Sequence, residues 1–335
     1  MQATFTPAVQ VPLKIIATGS ALPATKVTSS SLDVRFNKRS GHTESRSGIV
    51  HRFHADHGAS QIALGADALH NALQRYDILP DTIDLLIYAS AIPYQALPYS
   101  AAHLLKASPL TPGIATFDIN ASCVSFIAAL QVAGGLLNTG AYRRVAIVST
   151  ELASRGIDWS HEESSVIFGD GAACAIVEQG DGSSGIRSCL FETYPKGLEL
   201  CQIRAGGTRR NPRAGITDDD FLFHMDGKRL FRQAASVVEG FWARLLNAAH
   251  CSQDELATVV PHQASHLSLE HMRRRLRISS DVLIDIYRHH GNQVSASIPT
   301  ALHYAMQTGR ITQGRPVALV GTAAGLTLGG MVLMP

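Results

Sequence analysis

Residues 129–150, ALQVAGGLLNTGAYRRVAIVST, and residues 301–322, ALHYAMQTGRITQGRPVALVGT, follow one plan at a constant offset of 172 (301 − 129 and 322 − 150). Each has an apolar helical stretch, a Gly-containing turn, a basic residue and a VAxV strand. A second pair lies upstream. Residues 66–90 end in LPDTIDLLIYAS and residues 238–263 in SQDELATVVPHQ, with Asp81 and Asp254 at the helix-to-strand turns, 173 apart. Two matched pairs at nearly one offset are the mark of a duplicated structural unit. The 335-residue chain therefore reads as two similar halves, 1–180 and 181–335, joined at the turn-rich GDGSSG of residues 180–185.

Each half alternates strands with helices. IDLLIYA, VAIVST, AACAIVE, ATVVPH, PVALVG and GMVLM are short and apolar on both faces, as strands covered on both sides are. ALQVAGGLL, ADALHNALQ and SLEHMRRRL have helical spacing. The expected class is layered α/β with two central sheets. Composition agrees: 45% hydrophobic and 17% charged residues, against roughly 25% charged in a typical domain, predict a large core and room for a buried subunit interface. A net charge of +2 gives no basic surplus for nucleic acid. Five cysteines, an odd number without CxxC spacing, argue against a disulfide framework or a structural metal site.

The N-terminal MQATFTPAVQVPLKIIATGS has no basic n-region, and Lys14 interrupts it, so no signal peptide is expected. Residues 316–335 are uncharged over the length of a membrane span. Gly321, Gly325, Gly329 and Gly330 with Thr322 and Thr327 read instead as a loop between two short buried strands. A cytoplasmic protein with reduced thiols, and no membrane, is expected. Residues 190–220, polar and rich in Arg and Gly, read as an excursion covering a site.

Three residues stand where chemistry is placed. Cys123, in TFDINASCVSFIAALQVAGGLL, follows a strand and stands at or just before a helix start, where backbone N–H groups and the helix dipole favour a thiolate and can receive an oxyanion. On local context alone a small buried hydrophobe, which is what most free cysteines are, is the commoner reading. His262, in ATVVPHQASHLSL, ends a buried strand, although a surface histidine would look similar. Asn292 follows Gly291 in a sharp turn before a helix near Ala296, where simple capping is also common. The repeat joins them: Cys123 falls opposite Ser295, so the Asn292 turn is the counterpart of the cysteine turn. His262 ends the strand equivalent to IDLLIYA. Pseudo-twofold halves bring these ends together, and a converging Cys, His and Asn is a nucleophile site.

These residues carry a family resemblance. KIIATGSALPA, SRSGIVHR, the cysteine turn, IFGDGAACAI, MDGKRLF, VVPHQAS, HHGNQVSASIPTAL and the terminal Gly loop together resemble the β-ketoacyl-[acyl carrier protein] synthase III enzymes of the thiolase-like superfamily, over nearly the whole chain. The resemblance implies a five-layered α/β/α/β/α fold and, usually, a homodimer. It implies that Cys123 is acylated from a coenzyme A or carrier-protein thioester, with no resident cofactor. His262 and Asn292 would hold the thioester carbonyl of a malonyl- or β-ketoacyl-type substrate during decarboxylation. The backbone at Cys123 and in the GTAAG loop, at Ala324 and Gly325, would hold the oxyanion. It places Arg46 and Ser265 at the substrate tunnel mouth. Leu97, with Tyr99 and the 190–220 excursion, is expected to set pocket depth.

The chain departs from the usual family pattern at the mouth. His42 stands where tryptophan is common and Glu162 where arginine is common. Ser265 and Leu267 replace asparagine and arginine, and Ala323 and Ala324 replace glycines. A specialised member with another acyl donor or acceptor is expected, as in alkylquinolone, dialkylresorcinol or long-chain ketone pathways. Two alternatives stay open. One is an acyltransferase passing the Cys123 acyl group to an alcohol or amine. The other is a partner subunit of a heterodimeric synthase, against which the retained Cys123, His262 and Asn292 argue. GDGSSG fits GxGxxG, but the strand-like IRSCLFETYP after it removes the phosphate-binding context. HEESS is no zincin motif, and no GxSxG elbow is present.

Overall fold

The computed structural model describes residues 11–335; the first ten residues of the N-terminal stretch discussed above lie outside the described residues. The first half contains strands β1 (Val11–Pro12), β2 (Lys14–Ala21), β3 (Thr25–Thr28), β4 (His51–His54), β5 (Leu85–Ala89), β6 (Ala115–Ile119), β7 (Arg144–Glu151) and β8 (Gly171–Glu178). Its helices are α1 (Ser29–Arg35), α2 (His42–Ser47), α3 (Gln61–Arg75), α4 (Ser100–Ala107), α5 (Ser125–Asn138) and the short α6 (Glu162–Ser165). The second half contains β9 (Gly185–Thr193), β10 (Cys201–Gln202), β11 (His224–Met225), β12 (Thr258–Pro261), β13 (Val317–Ala323) and β14 (Thr327–Met334). Its helices are α7 (Gly227–Ala248), α8 (His266–Arg275), α9 (Tyr287–His290) and α10 (Ser297–Gln307).

The predicted strands form two five-stranded sheets, ordered β2-β8-β7-β5-β6 and β1-β9-β14-β13-β12. In the first, β5 is parallel to β6 and β7, and the other pairs are antiparallel. In the second, β12 and β13 are parallel and the rest antiparallel. The duplication matches β2 with β9, β5 with β12 and β7 with β13. Two edges break it. The counterpart of β6 is reduced to a single bridge between Val259 and Leu283, and β1 crosses from the first half to pair with β9.

Five layers follow from how the strands alternate. Leu85, Ile87, Val145 and Ile147 face a central layer that includes α5 and α10, together with Val260, Leu319 and Met331 from the second sheet. Leu86, Tyr88, Ala146 and Val148 face α3 and α4 on the outside. Val259, Ala318, Val320 and Val332 face α7 on the other outside, with Met272 of α8 packed alongside. This is the expected α/β/α/β/α order.

The uncharged C-terminal segment is the antiparallel β13–β14 pair around residues 324–326. No helix among the described residues is long and apolar enough to cross a membrane. The polar excursion begins later than expected. Residues 190–193 continue β9 against β14, and only from Tyr194 does the chain leave the sheet, returning through the β10–β11 pair.

Candidate active site

Two turns with one geometry face each other across the duplication. In the first, the Ser122 N–H donates to Asn120 Oδ1 at 2.9 Å and the Ala121 N–H to Ser125 Oγ at 2.9 Å. In the second, the Val294 N–H donates to Asn292 Oδ1 at 2.8 Å and the Gln293 N–H to Ser297 Oγ at 3.0 Å. Every pair of residues is 172 apart. Both turns pass through the left-handed region at equivalent positions, Ser122 at φ 55° and Val294 at φ 51°. For a β-branched valine that conformation is costly, and strain of this kind gathers at functional turns.

Cys123 follows the first strained residue and Ser295 the second. The Cys123 thiol lies by the Ser122 hydroxyl, 4.0 Å away, and the backbone N–H groups of Ala324 and of Cys123 itself. Ala324 opens the turn after β13, which Gly325 (φ 89°) and Leu326 (φ 33°) complete. Leu198 of the excursion covers this turn: a Cβ on Gly325 would lie 3.6 Å from Leu198 Cδ2. The excursion thus lies over the predicted oxyanion loop.

His262 follows β12 and is buried. Its backbone N–H donates to Val320 O at 2.8 Å, while Nδ1 has no partner among the described residues. The imidazole comes beside the cysteine turn because Gly321 has no side chain. A Cβ there would meet His262 Cβ at 2.9 Å and Cγ1 of Val124, the residue after Cys123, at 3.0 Å. Asn292 Nδ2 donates to Ala264 O at 3.2 Å, which ties the second turn to the loop carrying His262. One amide hydrogen of Asn292 remains for another acceptor. Gly321 thus brings His262 beside the residue after Cys123, and Ala264 ties the Asn292 turn to the His262 loop.

Electrostatics correct one expectation. Cys123 is not held as a thiolate: burial, and then the charge of Glu151, push its thiol up to about 11 against the nearby donors. The physical reason is position: α5 begins at Ser125, two residues later, and desolvation of the thiol outweighs the nearby donors. Burial also lowers His262 to about 4, so its imidazole is neutral at physiological pH.

The predicted substrate contacts divide. Arg46, in the last turn of α2, is exposed. The Ser265 hydroxyl is committed to capping α8, accepting from the Ser268 N–H at 3.1 Å. Leu97 does not line this chain's own site: it is 84% exposed on the loop of residues 92–99. The departures at the mouth do meet. Glu162 bonds His42 Nε2 and Lys38 Nζ, both at 2.9 Å, and Lys38 first, then His42, holds its carboxyl below the usual range. Gly48, left-handed at φ 76°, lets the end of α2 pack on His266 at the start of α8. Two surface clefts that share Ser20 and Asn71, one reaching Asp67 and the other Arg75 and His303, lie at β2 and contain none of these residues.

Two residues escaped the sequence-based expectations. Asn120 is the counterpart of Asn292, and Glu151 is a fully buried carboxyl at the end of β7. The signal for both was the offset itself: INAS aligns with GNQV, and Glu151 aligns with Ala323 (323 − 151 = 172).

The model of the 3-oxoacyl-[acyl-carrier-protein (ACP)] synthase III family matches residues 117–195, and that of the C-terminal region of the same synthase matches residues 246–334. Among solved structures, the chain is similar to 3-oxoacyl-[acyl-carrier-protein] synthase III from Aquifex aeolicus, with 28% identity, coverage of 96% of this chain and 100% of that one, and a TM-score of 0.85. The corresponding synthase III from Thermus thermophilus gives 27%, 96%, 98% and 0.87. A variant of OleA from Xanthomonas campestris, solved with lauric acid and lauroyl-CoA bound, shares the fold at 18% identity, with coverage of 97% and 99% and a TM-score of 0.83.

Proposed function

The chain belongs to the 3-oxoacyl-[acyl-carrier-protein] synthase III family of condensing enzymes, and from that premise we propose that it joins an acyl group carried on Cys123 to a malonyl-type thioester by decarboxylative condensation. What supports this reading is the approach of the Cys123 turn, with the Ala324 N–H beside its thiol, to a neutral His262 across Gly321, and the tie of Asn292 to the His262 loop.

The Cys123 sulfur attacks the thioester carbonyl of an acyl-CoA or acyl carrier protein. The bond to the leaving thiol breaks, and the thiol proton passes to that leaving sulfur. Because burial holds the proton on Cys123, the N–H groups of Cys123 and Ala324 act mainly as charge develops, on the sulfur and then on the tetrahedral oxyanion. Loss of one such donor typically costs about 10²–10³ in rate. The second thioester places its carbonyl oxygen between the His262 ring N–H and the free Asn292 amide hydrogen. Its carboxylate leaves as CO2, and the electron pair left on carbon is held as an enolate by those two donors. That carbon attacks the acyl-cysteine, the sulfur leaves as a thiolate that regains one proton from solvent, and a β-ketoacyl thioester is released. Two covalent half-reactions predict ping-pong kinetics. No resident cofactor is part of this scheme, and the free thiols support a reducing, cytoplasmic setting.

The donor differs from that of a housekeeping initiator. What supports this is the Lys38–Glu162–His42 cluster, which puts a paired carboxylate at the position where the family commonly has arginine. Intact-mass measurement after exposure to a panel of acyl-CoA and acyl-carrier thioesters, with Cys123→Ala as control, tests both statements. The expected result is acylation of the wild type alone, slow from acetyl-CoA, followed by CO2 release on adding malonyl thioester. Unmodified Cys123 across the panel would sink the condensation reading, and rapid acetyl-CoA turnover would sink the donor reading.

A further inference from the structure

One buried carboxyl joins the two catalytic turns. Glu151 Oε1 accepts the Ser295 hydroxyl on one side and the Ala91 N–H, at 2.6 Å, on the other. Ser295 stands three residues beyond Asn292 in the second turn. Ala91 in turn accepts Asn120 Nδ2 on its carbonyl at 2.8 Å, and Asn120 Oδ1 holds the Ser122 N–H beside Cys123. The relay therefore runs from Ser122 through Asn120, Ala91, Glu151 and Ser295 to the Asn292 turn. Glu151 is its one ionisable member, and its Oε2 has no partner among the described residues. The duplication shows what is unusual. In the other half the position of Glu151 is Ala323 and that of Ser295 is Cys123. Where one half has a nucleophile beside a small residue, the other has a serine clasped by a carboxyl.

We propose that Glu151 is a positioning residue for condensation, its clasp on Ser295 and Ala91 fixing the Asn292 turn relative to the Cys123 turn. The inference rests on the condensation reading and deepens it. Asn292 serves decarboxylation rather than acylation, so loosening the clasp slows one half-reaction selectively. The carboxylate also faces Cys123, so removing its charge makes the thiol easier to ionise. The two consequences have opposite signs, and Glu151→Gln, in which alkylation should rise while CO2 release is kept, separates the loss of charge from a general loosening of the fold. Besides Cys123, the titratable group facing Glu151 is Tyr88 on β5.

The experiment compares wild type, Glu151→Ala, Glu151→Gln and Ser295→Ala in two assays. One is CO2 release from malonyl-CoA and malonyl-carrier protein; the other is iodoacetamide alkylation of Cys123 at pH 8.5. Glu151→Ala should lose about 10- to 100-fold in CO2 release, the scale of a small misplacement in an active site, while alkylation rises at least about threefold. Glu151→Gln keeps one oxygen that can accept from both the Ala91 N–H and the Ser295 hydroxyl, so CO2 release should stay within about threefold while alkylation still rises. Ser295→Ala should lose CO2 release by about tenfold or more with alkylation unchanged. Wild-type CO2 release in Glu151→Ala or Ser295→Ala, or a parallel fall of both readouts in Glu151→Gln, overturns the assignment. A wild type that releases no CO2 refutes the condensation reading itself.

Discussion

His262 is a base kept neutral by burial, and that has a thermodynamic consequence. Its folded value of about 4 lies below the ordinary histidine value of about 6.5. Between those pH values the unfolded chain takes up a proton that the folded chain refuses, so stability is lost as pH falls from 6.5 towards 4. The full effect is about 3 kcal/mol at 1.36 kcal/mol per unit. Glu151, raised to about 7 by burial, acts in the opposite direction: its contribution is lost as pH rises from the ordinary glutamate range towards 7. The two slopes partly cancel in the wild type, so a variant is needed to separate them. Urea midpoints of His262→Gln should move in the variant's favour, relative to wild type, by up to about 3 kcal/mol between pH 7 and 4. Parallel curves would show that the imidazole is solvated. Neither shift was visible in the sequence. Cys123 stood out because TFDIN leads into a small-residue turn and a helix, but residue order does not reveal how much water a thiol sees. The helix start therefore argued for a thiolate that burial prevents.

At the scale of elements, the site depends on close approaches that glycine permits. β13 passes between His262 and Val124 at Gly321, where a Cβ would meet carbon atoms of both at 2.9 and 3.0 Å. Neither neighbour is the loose end of a flexible side chain: one is a Cβ and the other a buried β-branched methyl. Gly321→Ala should push His262 and the cysteine turn apart while leaving the β13–β14 pairing intact. We expect CO2 release to fall about 10- to 100-fold, with a loss of about 1–3 kcal/mol in stability from overpacking. A variant with wild-type turnover would mean that the two turns have slack. The strands themselves were legible because β5, β7, β8, β12, β13 and β14 are apolar on both faces, a pattern few other structures produce. The excursion was less so: residues 190–193 are LFET, half-apolar and half-polar, and their pairing with β14 is a long-range fact that local composition does not carry. Ser265 shows the same limit at the scale of one helix. The sequence placed it at the start of α8 but did not show that its hydroxyl is already engaged as the cap.

For the whole molecule, the duplication leaves one asymmetry with a consequence for assembly. The second sheet is bordered by β1 and by the bridge at Leu283, whereas β6 of the first sheet pairs, among the described residues, only with β5 and is half-buried along its length. A free strand edge is a surface that proteins ordinarily cover. The loop of residues 92–99 presents Ile92, Tyr94, Leu97 and Tyr99 to solvent, with Leu97 84% exposed, although the chain has only 17% charged residues to keep such surface dispersed. Tyr99 Oη is bonded to Thr116 Oγ1 of β6, so the loop and the free edge are one continuous face. The root of the loop is the Ala91 that Glu151 holds. We propose that a second copy of the chain covers this face, with Leu97 as a pocket residue reaching into the neighbouring protomer. Leu97→Asp should therefore convert a dimer to a monomer in sedimentation velocity and lower acylation by long-chain thioesters at least tenfold, an apolar contact of this size being worth about 1.5–3 kcal/mol when buried. Iodoacetamide should still alkylate Cys123, because the nucleophile turn belongs wholly to one chain. A wild type that sediments as a monomer, or a Leu97→Asp dimer with undiminished acylation, would leave this face without a second copy and return the setting of pocket depth to the single chain.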